Sequence, residues 1–389
     1  MKITSVKTIL LKWECPVMSD ALSVCTARQA LLVKIETDTE LYGIGEAFCY
    51  GSPLRVGRSI VEEQLAPMLI GQDPEQIENL WQTMYWRTIA NGRRGVVMAA
   101  VSGIDIALWD LLGKMLKAPI STLLGRHQDR VPAYASGGFY APGKSLDGLE
   151  RELEGYVKKG YSAIKIKIGR NPHMPHNAIR YTADQSFGVS YEEDMRRLET
   201  ARRILGKGKL AADINAAWTP MQVLAARKDF ARVGLDWLEE PVRFEDREGC
   251  RMLVREMPGI SLMGFETEQG LSNFTHLVED QMVDIVQPDI GWGGGVSELV
   301  KIGAMALANH KPVSLHSFGS AVHFAASLQV AAALPNTECI ESEENENMLK
   351  SGILKTPFEA DEHMNFYVPR SHGLGIELDW DALEQYVIL

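Results

Sequence analysis

Eight short apolar stretches, each about one βα unit from the next, constrain the fold of this chain more than any other feature of its sequence. They are Pro132–Ser136, Ala163–Ile168, Leu210–Asn215, Asp236–Glu240, Ser261–Glu266, Asp284–Asp289, Pro312–His316 and Glu338–Glu341. Amphipathic stretches such as Glu192–Leu205 and Ser297–Asn309 fill most of the gaps. Strands alternating with helices in this way predict a (β/α)₈ barrel. A doubly wound sheet is the alternative, but no GxGxxG opens a helix after a strand, and Gly291–Gly295 (GWGGG) lacks that spacing and reads as a turn. The first ~125 residues read as an α+β domain. In it, strands Gln29–Thr37 and Leu41–Phe48 flank a turn at Asp38–Glu40, and a strong helix, Met98–Lys117, is stopped by Pro119. The expected domains are 1–127, a barrel over 128–356, and a tail over 357–389 that returns to the first domain. One gap is long: Asn171–Ser190, rich in Pro, Asn and Gly, reads as a loop insertion at the mouth of the barrel.

Composition narrows the function. The 389 residues carry 46% hydrophobic and 23% charged side chains and a net charge of −11, the balance of a globular protein with no basic stripe. That makes nucleic acid or an anionic membrane a poor partner. Five scattered cysteines, never spaced as CxxC, fit free thiols in a reducing compartment. The apolar run between Lys7 and Lys12 is too short for a signal peptide, and Val96–Trp109, which carries Asp105, falls short of the ~18 apolar residues of a membrane span. A soluble, cytoplasmic protein is expected.

Three sets of residues carry chemistry. Asp213, Glu239 and Glu266 close three consecutive strands at intervals of 26 and 27 residues, so a barrel holds them on neighbouring strands at one height. Three carboxylates at one point repel unless a cation lies between them, and hard oxygen ligands favour Mg²⁺. In Ala163–Ile168 (AIKIKI), alternation sends Lys165 and Lys167 to one face and the isoleucines to the other. Two neighbouring ammonium groups are expected to depress one pKa and make a general base. Asp289 and His316 end strands one unit apart and form a dyad in which the acid orients and charges the ring. Asn215 shares the face of Asp213 and is expected to contact substrate. Glu341, at the end of the eighth strand, reads as a donor to a substrate carboxylate if protonated, as a partner of Lys165 if not, or as a solvated glutamate. His173 and His176 (HMPH) alone make a weak metal site.

Together these residues resemble the mandelate racemase subgroup of the enolase superfamily. Ala100–Gly125 looks like that family's first-domain signature, and KxK at Lys165–Lys167, Asp213/Glu239/Glu266, Glu239-Glu240-Pro241, Asp289–His316 and Glu341 follow its pattern in order. Phe265 stands where the family has Gly before the third acid; Glu268 is the alternative there, and strand length favours Glu266. The resemblance implies a modified (β/α)₇β barrel under an α+β capping domain, one Mg²⁺ per subunit, and an octamer or dimer. It also implies a hydro-lyase acting on an acid sugar. Lys167 takes the α-proton, with Lys165 tuning it, and His316, held by Asp289, protonates the departing β-hydroxyl, which leaves a 2-keto-3-deoxy acid. Glu341 or a lysine is expected to steady the enediolate. The bases exchange roles with the substrate's configuration. Racemisation by the same two bases and a non-catalytic sugar-acid binding protein are the alternatives. Specificity is expected in Lys12–Arg28 and Phe48–Arg58, where Arg28, Arg55 and Arg58 offer cations for the second carboxylate of an aldarate.

Overall fold

A computed structural model describes residues 1–171 and 187–388. His173, His176 and most of the expected insertion lie outside the described residues.

The N-terminal unit is a three-stranded antiparallel sheet of β1 (Ile3–Ser19), β2 (Val24–Thr37) and β3 (Tyr42–Ala47), in that order. The sequence reading anticipated β2, β3 and the turn between them but not β1, where Lys7, Lys12 and Glu14 blur the apolar face. Helix Val96–Met115 packs against this sheet and forms the centre of an apolar cluster with Leu31, Val33, Ile35 and Trp81. By length and hydropathy it alone among the described residues is fit to cross a membrane, yet 83% of it is buried inside the protein. Its two acidic residues are tied into the rest of the fold. Asp105 accepts from Ser297 N (3.0 Å) and Ser297 Oγ (2.6 Å), and Asp110 accepts from Ile44 N and Leu374 N (both 2.9 Å).

The second unit is a closed barrel. Its parallel strands are β4 (Arg130–Gly137), β5 (Ala163–Lys167), β6 (Lys209–Asp213), β7 (Trp237–Glu239), β8 (Ser261–Gly264), β9 (Ile285–Val286), β10 (Val313–Leu315) and β11 (Thr337–Glu343). β11 pairs with β4 and closes the ring. These are the eight stretches read from the sequence. Full-length helices follow β4 to β10, whereas β11 is followed only by the four-residue helix Met348–Ser351. The architecture is therefore the modified (β/α)₇β form, capped by an α+β unit. A last strand, β12 (Asn365–Tyr367), runs antiparallel to β4. The chain end then reaches β1, where Lys12 N donates to Tyr386 O (2.8 Å) and Ile388 N to Leu10 O (2.8 Å).

Glycines bring β3 hard against helix Val96–Met115. A Cβ on Gly45 would lie 2.1 Å from Gly103 O, and one on Gly43 2.0 Å from Ala107 O. Both obstacles are backbone, so they cannot swing aside. Gly45→Ala is expected to cost about 3 kcal/mol, at the upper end of over-packing. A denaturant midpoint unchanged from the parent would show that sheet and helix separate more easily than this contact implies.

Candidate active site

The barrel sets the site by register. Ile164, Ile166 and Ile168 are buried among residues of the surrounding helices, such as Leu149 and Leu198. Lys165 and Lys167 consequently project inward and are 0% and 6% exposed. Lys167 lies opposite Asp213, and Asp213 opposite Glu239. Lys165 Nζ meets Glu239 Oε1, Glu341 Oε1 at 2.9 Å and Asp213 Oδ2 at 3.8 Å, while Lys167 Nζ bonds Asp213 Oδ2. Glu341 is thus a buried partner of Lys165 and not a solvated glutamate. Its burial raises its pKa, but Lys165, His316 and Lys167 overcome that and hold it below the usual range.

One expectation is corrected here. Neither lysine has a depressed pKa. Burial pulls both down, but Glu239 and Glu341 around Lys165, and Asp213 beside Lys167, outweigh both burial and the mutual repulsion. Considering the two lysines as an isolated pair left out the carboxylates that surround them.

Glu266 lies two residues beyond β8 and faces a small cavity that Lys167, Asn215, Trp292 and His316 also line. Glu268, the alternative, pairs with Arg94 (2.6 Å). Asn215 and Ala216 just past β6, and Glu240 just past β7, have positive φ (46°, 59° and 38°), a strained backbone beside the site acids. His316 Nδ1 lies 2.6 Å from Asp289 Oδ2, and its Nε2 lies 3.4 Å from Glu266 and 3.6 Å from Glu341. Burial lowers its pKa, but Glu266, Glu341 and Asp289 together push it up to about 10. Asp289, buried but surrounded by His323 and His316, is held at about 2. The indole of Trp292 stacks on the His316 ring at 6.0 Å.

Of the cations expected to receive a second carboxylate, Arg28 is buried, ion-paired with Glu343 and laid over Phe318 at 3.8 Å. It lines an adjoining cavity of about 350 Å³ with Lys12, Tyr50 and Asn347. Arg55 is exposed on helix Leu54–Ser59 and lines neither cavity, and neither does Arg58 on that helix. The capping segments do reach the smaller cavity, through Asp20, Phe48 and Tyr50. Two functional-looking residues went unread in the sequence, Glu46 and His323. A charge inside the apolar strand YGIGEA and a histidine inside the apolar helix AVHFAASLQVA were the available signals.

The donor chemistry suits a hard divalent cation. Glu239 Oε2, Glu266 Oε2 and Asn215 Oδ1 are buried without a hydrogen-bond partner. Burial and then mutual repulsion drive the acids toward protonation, Glu239 to about 8 against the pull of Lys165, and Glu266 upward against that of His316. The present side-chain placement pairs Asp213 and Glu239 with the lysines, and no three acids among the described residues form a ready cation cage.

Comparison with known proteins identifies the family and its relatives. Residues 3–125 match the family model for the mandelate racemase/muconate lactonizing enzyme N-terminal domain, and residues 148–382 match that for the enolase C-terminal domain-like fold. The chain is 35% identical over 359 residues to an arabinonate dehydratase of Saccharolobus solfataricus, covering 92% of this chain and 90% of that one. It is 34% identical to a D-galactarolactone cycloisomerase of Agrobacterium fabrum, covering 99% of each. A racemase of Streptomyces coelicolor A3(2), solved with bound magnesium, superposes with a TM-score of 0.85 at 26% identity, covering 99% of this chain and all of that one.

The raised carboxyl of Glu239 gives a pH-linked test. It ionises near 4.5 in an unfolded chain and near 8 in the fold, so its contribution to stability is complete below 4.5 and lost as pH rises through 8. A cation bound there competes with the proton. Added Mg²⁺ is expected to raise Tm more at pH 8 than at pH 5, and Glu239→Gln to remove most of that difference. Equal shifts at both pH values in differential scanning fluorimetry would count against these acids as cation ligands.

Proposed function

The chain belongs to the mandelate racemase/muconate lactonizing enzyme family of enolase-like proteins, and on that footing we propose that it is a magnesium-dependent acid-sugar dehydratase. The observation that carries this reading is an amine and an imidazolium, Lys167 and His316, lining one cavity with Glu266 and Asn215. The α-proton of a carboxylate is weakly acidic, so its removal needs both a base and something to take up the charge that appears on the carboxylate. Asp213, Glu239 and Glu266 would hold magnesium, which would supply that positive charge; with Asp213 so engaged, the attraction that keeps Lys167 protonated would weaken. Lys167 then takes the α-proton. His316 begins as an imidazolium, since its pKa lies at about 10, and gives its proton to the departing β-hydroxyl. Asp289 keeps the proton-bearing face of the ring toward the substrate by occupying Nδ1. Lys165, fixed by Glu239 and Glu341, contributes a second positive charge near the carboxylate. The enol left behind becomes a 2-keto-3-deoxy acid.

The acid-sugar class follows from relatives whose names specify dehydratases of arabinonate and xylonate. Arg28 is neutralised by Glu343, Arg55 lies outside, and Lys12, which lines the larger cavity, is paired with Glu14 (2.6 Å), so no unpaired cation among these three marks a second carboxylate. The proposal therefore covers acid sugars as a class, with aldarates the first members to test. A homo-oligomer and a cytoplasmic location complete the reading, as expected of a family of metabolic enzymes.

A library of acid sugars incubated with Mg²⁺ should yield a semicarbazide-positive keto acid from at least one member. Lys167→Ala and His316→Asn should each lower kcat on it by about 10²–10⁴-fold, the range for loss of a general acid or base. An inverted α-carbon without keto acid would make the enzyme a racemase. Tight binding with no α-proton exchange in D₂O would make it a binding protein.

A further inference from the structure

The Asp289 carboxylate serves two imidazoles. Its Oδ2 accepts from His316 Nδ1 (2.6 Å), while His323 Nε2 lies 3.0 Å from Oδ1 and 3.1 Å from Oδ2. Gly291 N (2.7 Å) and Trp292 N (3.0 Å) also donate to Oδ1. Among these donors, His323 is the one that spans both oxygens, so it fixes the plane of the carboxylate and not merely the place of one atom.

His323 is 0% exposed, does not line the substrate cavity, and touches none of the acids assigned to magnesium. Ser317 Oγ lies 3.2 Å from its Nδ1, which leaves the Nε2 proton for Asp289 in the neutral ring. Two glycines make room for it. A Cβ on Gly319 would stand 2.6 Å from His323 Cβ, and one on Gly291 3.0 Å from its Cδ2. The backbone around it is held from the other unit of the protein. Glu46, at the end of β3 and 0% exposed, accepts from Ser320 N (3.1 Å), Ser320 Oγ and His323 N (3.2 Å). A carboxylate from the capping sheet thus closes the free amides at the start of helix Ala321–Ala331. An apolar helix needs no imidazole for packing, and burying one demands the partners it has here.

We propose that His323 is a positioning residue for the Asp289–His316 pair, and that Glu46 seats it, so that docking of the capping sheet on the barrel aims the His316 imidazole at the substrate cavity. The consequence for catalysis rests on the dehydratase reading, whereas the positioning itself does not.

The test uses three variants of the full chain. His323→Leu removes the donor. His323→Gln carries an amide nitrogen about as far out as Nε2, and His323→Asn carries one too short to reach Asp289. The leucine and asparagine variants should lose about 10–100-fold in kcat, the scale on which partners that orient a functional group act, with KM within about threefold of the parent. The glutamine variant should recover most of that loss. Should the leucine variant fail to fold, the glutamine and asparagine pair still decides. Equal kcat in those two, or a parental kcat in the leucine variant, overturns the proposal. A second readout needs no substrate: the downfield proton resonance of His316 Nδ1–H. It should shift or broaden in His323→Asn and persist in His323→Gln. If no acid sugar is turned over by the parent, the dehydratase reading fails alone, and an unmoved resonance in His323→Asn overturns the positioning role.

Discussion

Mutual neutralisation of buried charge is the constraint on which this site depends. Asp213, Glu239, Glu266, Glu341 and Asp289 lie almost wholly out of water, as do Lys165, Lys167 and His316. An isolated ion in such a place would lose its charge or unfold its surroundings. Each base here raises the acidity of its acids, and each acid holds the proton on its bases. The barrel makes this possible because parallel strands in register end at one height. Lys167, Asp213 and Glu239 are consecutive partners across three strands, so their convergence comes from backbone pairing and not from long, adaptable side chains.

The same physics governs how the capping unit sits on the barrel. Buried acids again make the contacts: Asp105 to Ser297, Asp110 to Leu374, and Glu46 to the start of helix Ala321–Ala331. Trp81 adds a hydrogen bond from Nε1 to Gly294 O (2.9 Å). Phe48 and Tyr50 come with that sheet and close one wall of the small cavity beside His316. Water is displaced from the imidazole by residues that are anchored through charge, which strengthens every electrostatic contact inside.

The barrel was legible because its strands recur with one beat and carry their polar residues at the same end. Asp213, Glu239, Asp289 and His316 could be placed on neighbouring strands from number differences alone. β1 was not legible, since its solvent face mixes lysine, threonine and glutamate and hides the alternation. The lysine protonation was misread for a different reason. Spacing places Lys165 beside Lys167, but only the closed ring brings Glu341, from the far end of the chain, to 2.9 Å from Lys165. Glu46 and His323 were invisible as a pair because 277 residues separate them and no local pattern joins a strand in one unit to a helix in another.

Lysine and imidazole stand in one field of carboxylates yet answer it differently. Both are held protonated: the lysine first by Asp213 and the imidazole first by Glu266, each an acid suited to a divalent ion, but the imidazole also by Glu341 and Asp289, which are outside that set. Asp289 is committed elsewhere, to two histidines and two backbone amides. A cation on the strand-end acids would therefore weaken the hold on both protons, while Glu341 and Asp289 would still support the imidazolium. A base made available together with an acid still charged is what loss of a β-hydroxyl requires, since one proton must leave carbon as another reaches oxygen. Exchange of an α-proton between two bases starts from the same pair of states, one base free and the other protonated, so the preference for elimination in the proposed function rests on the dehydratases among the relatives.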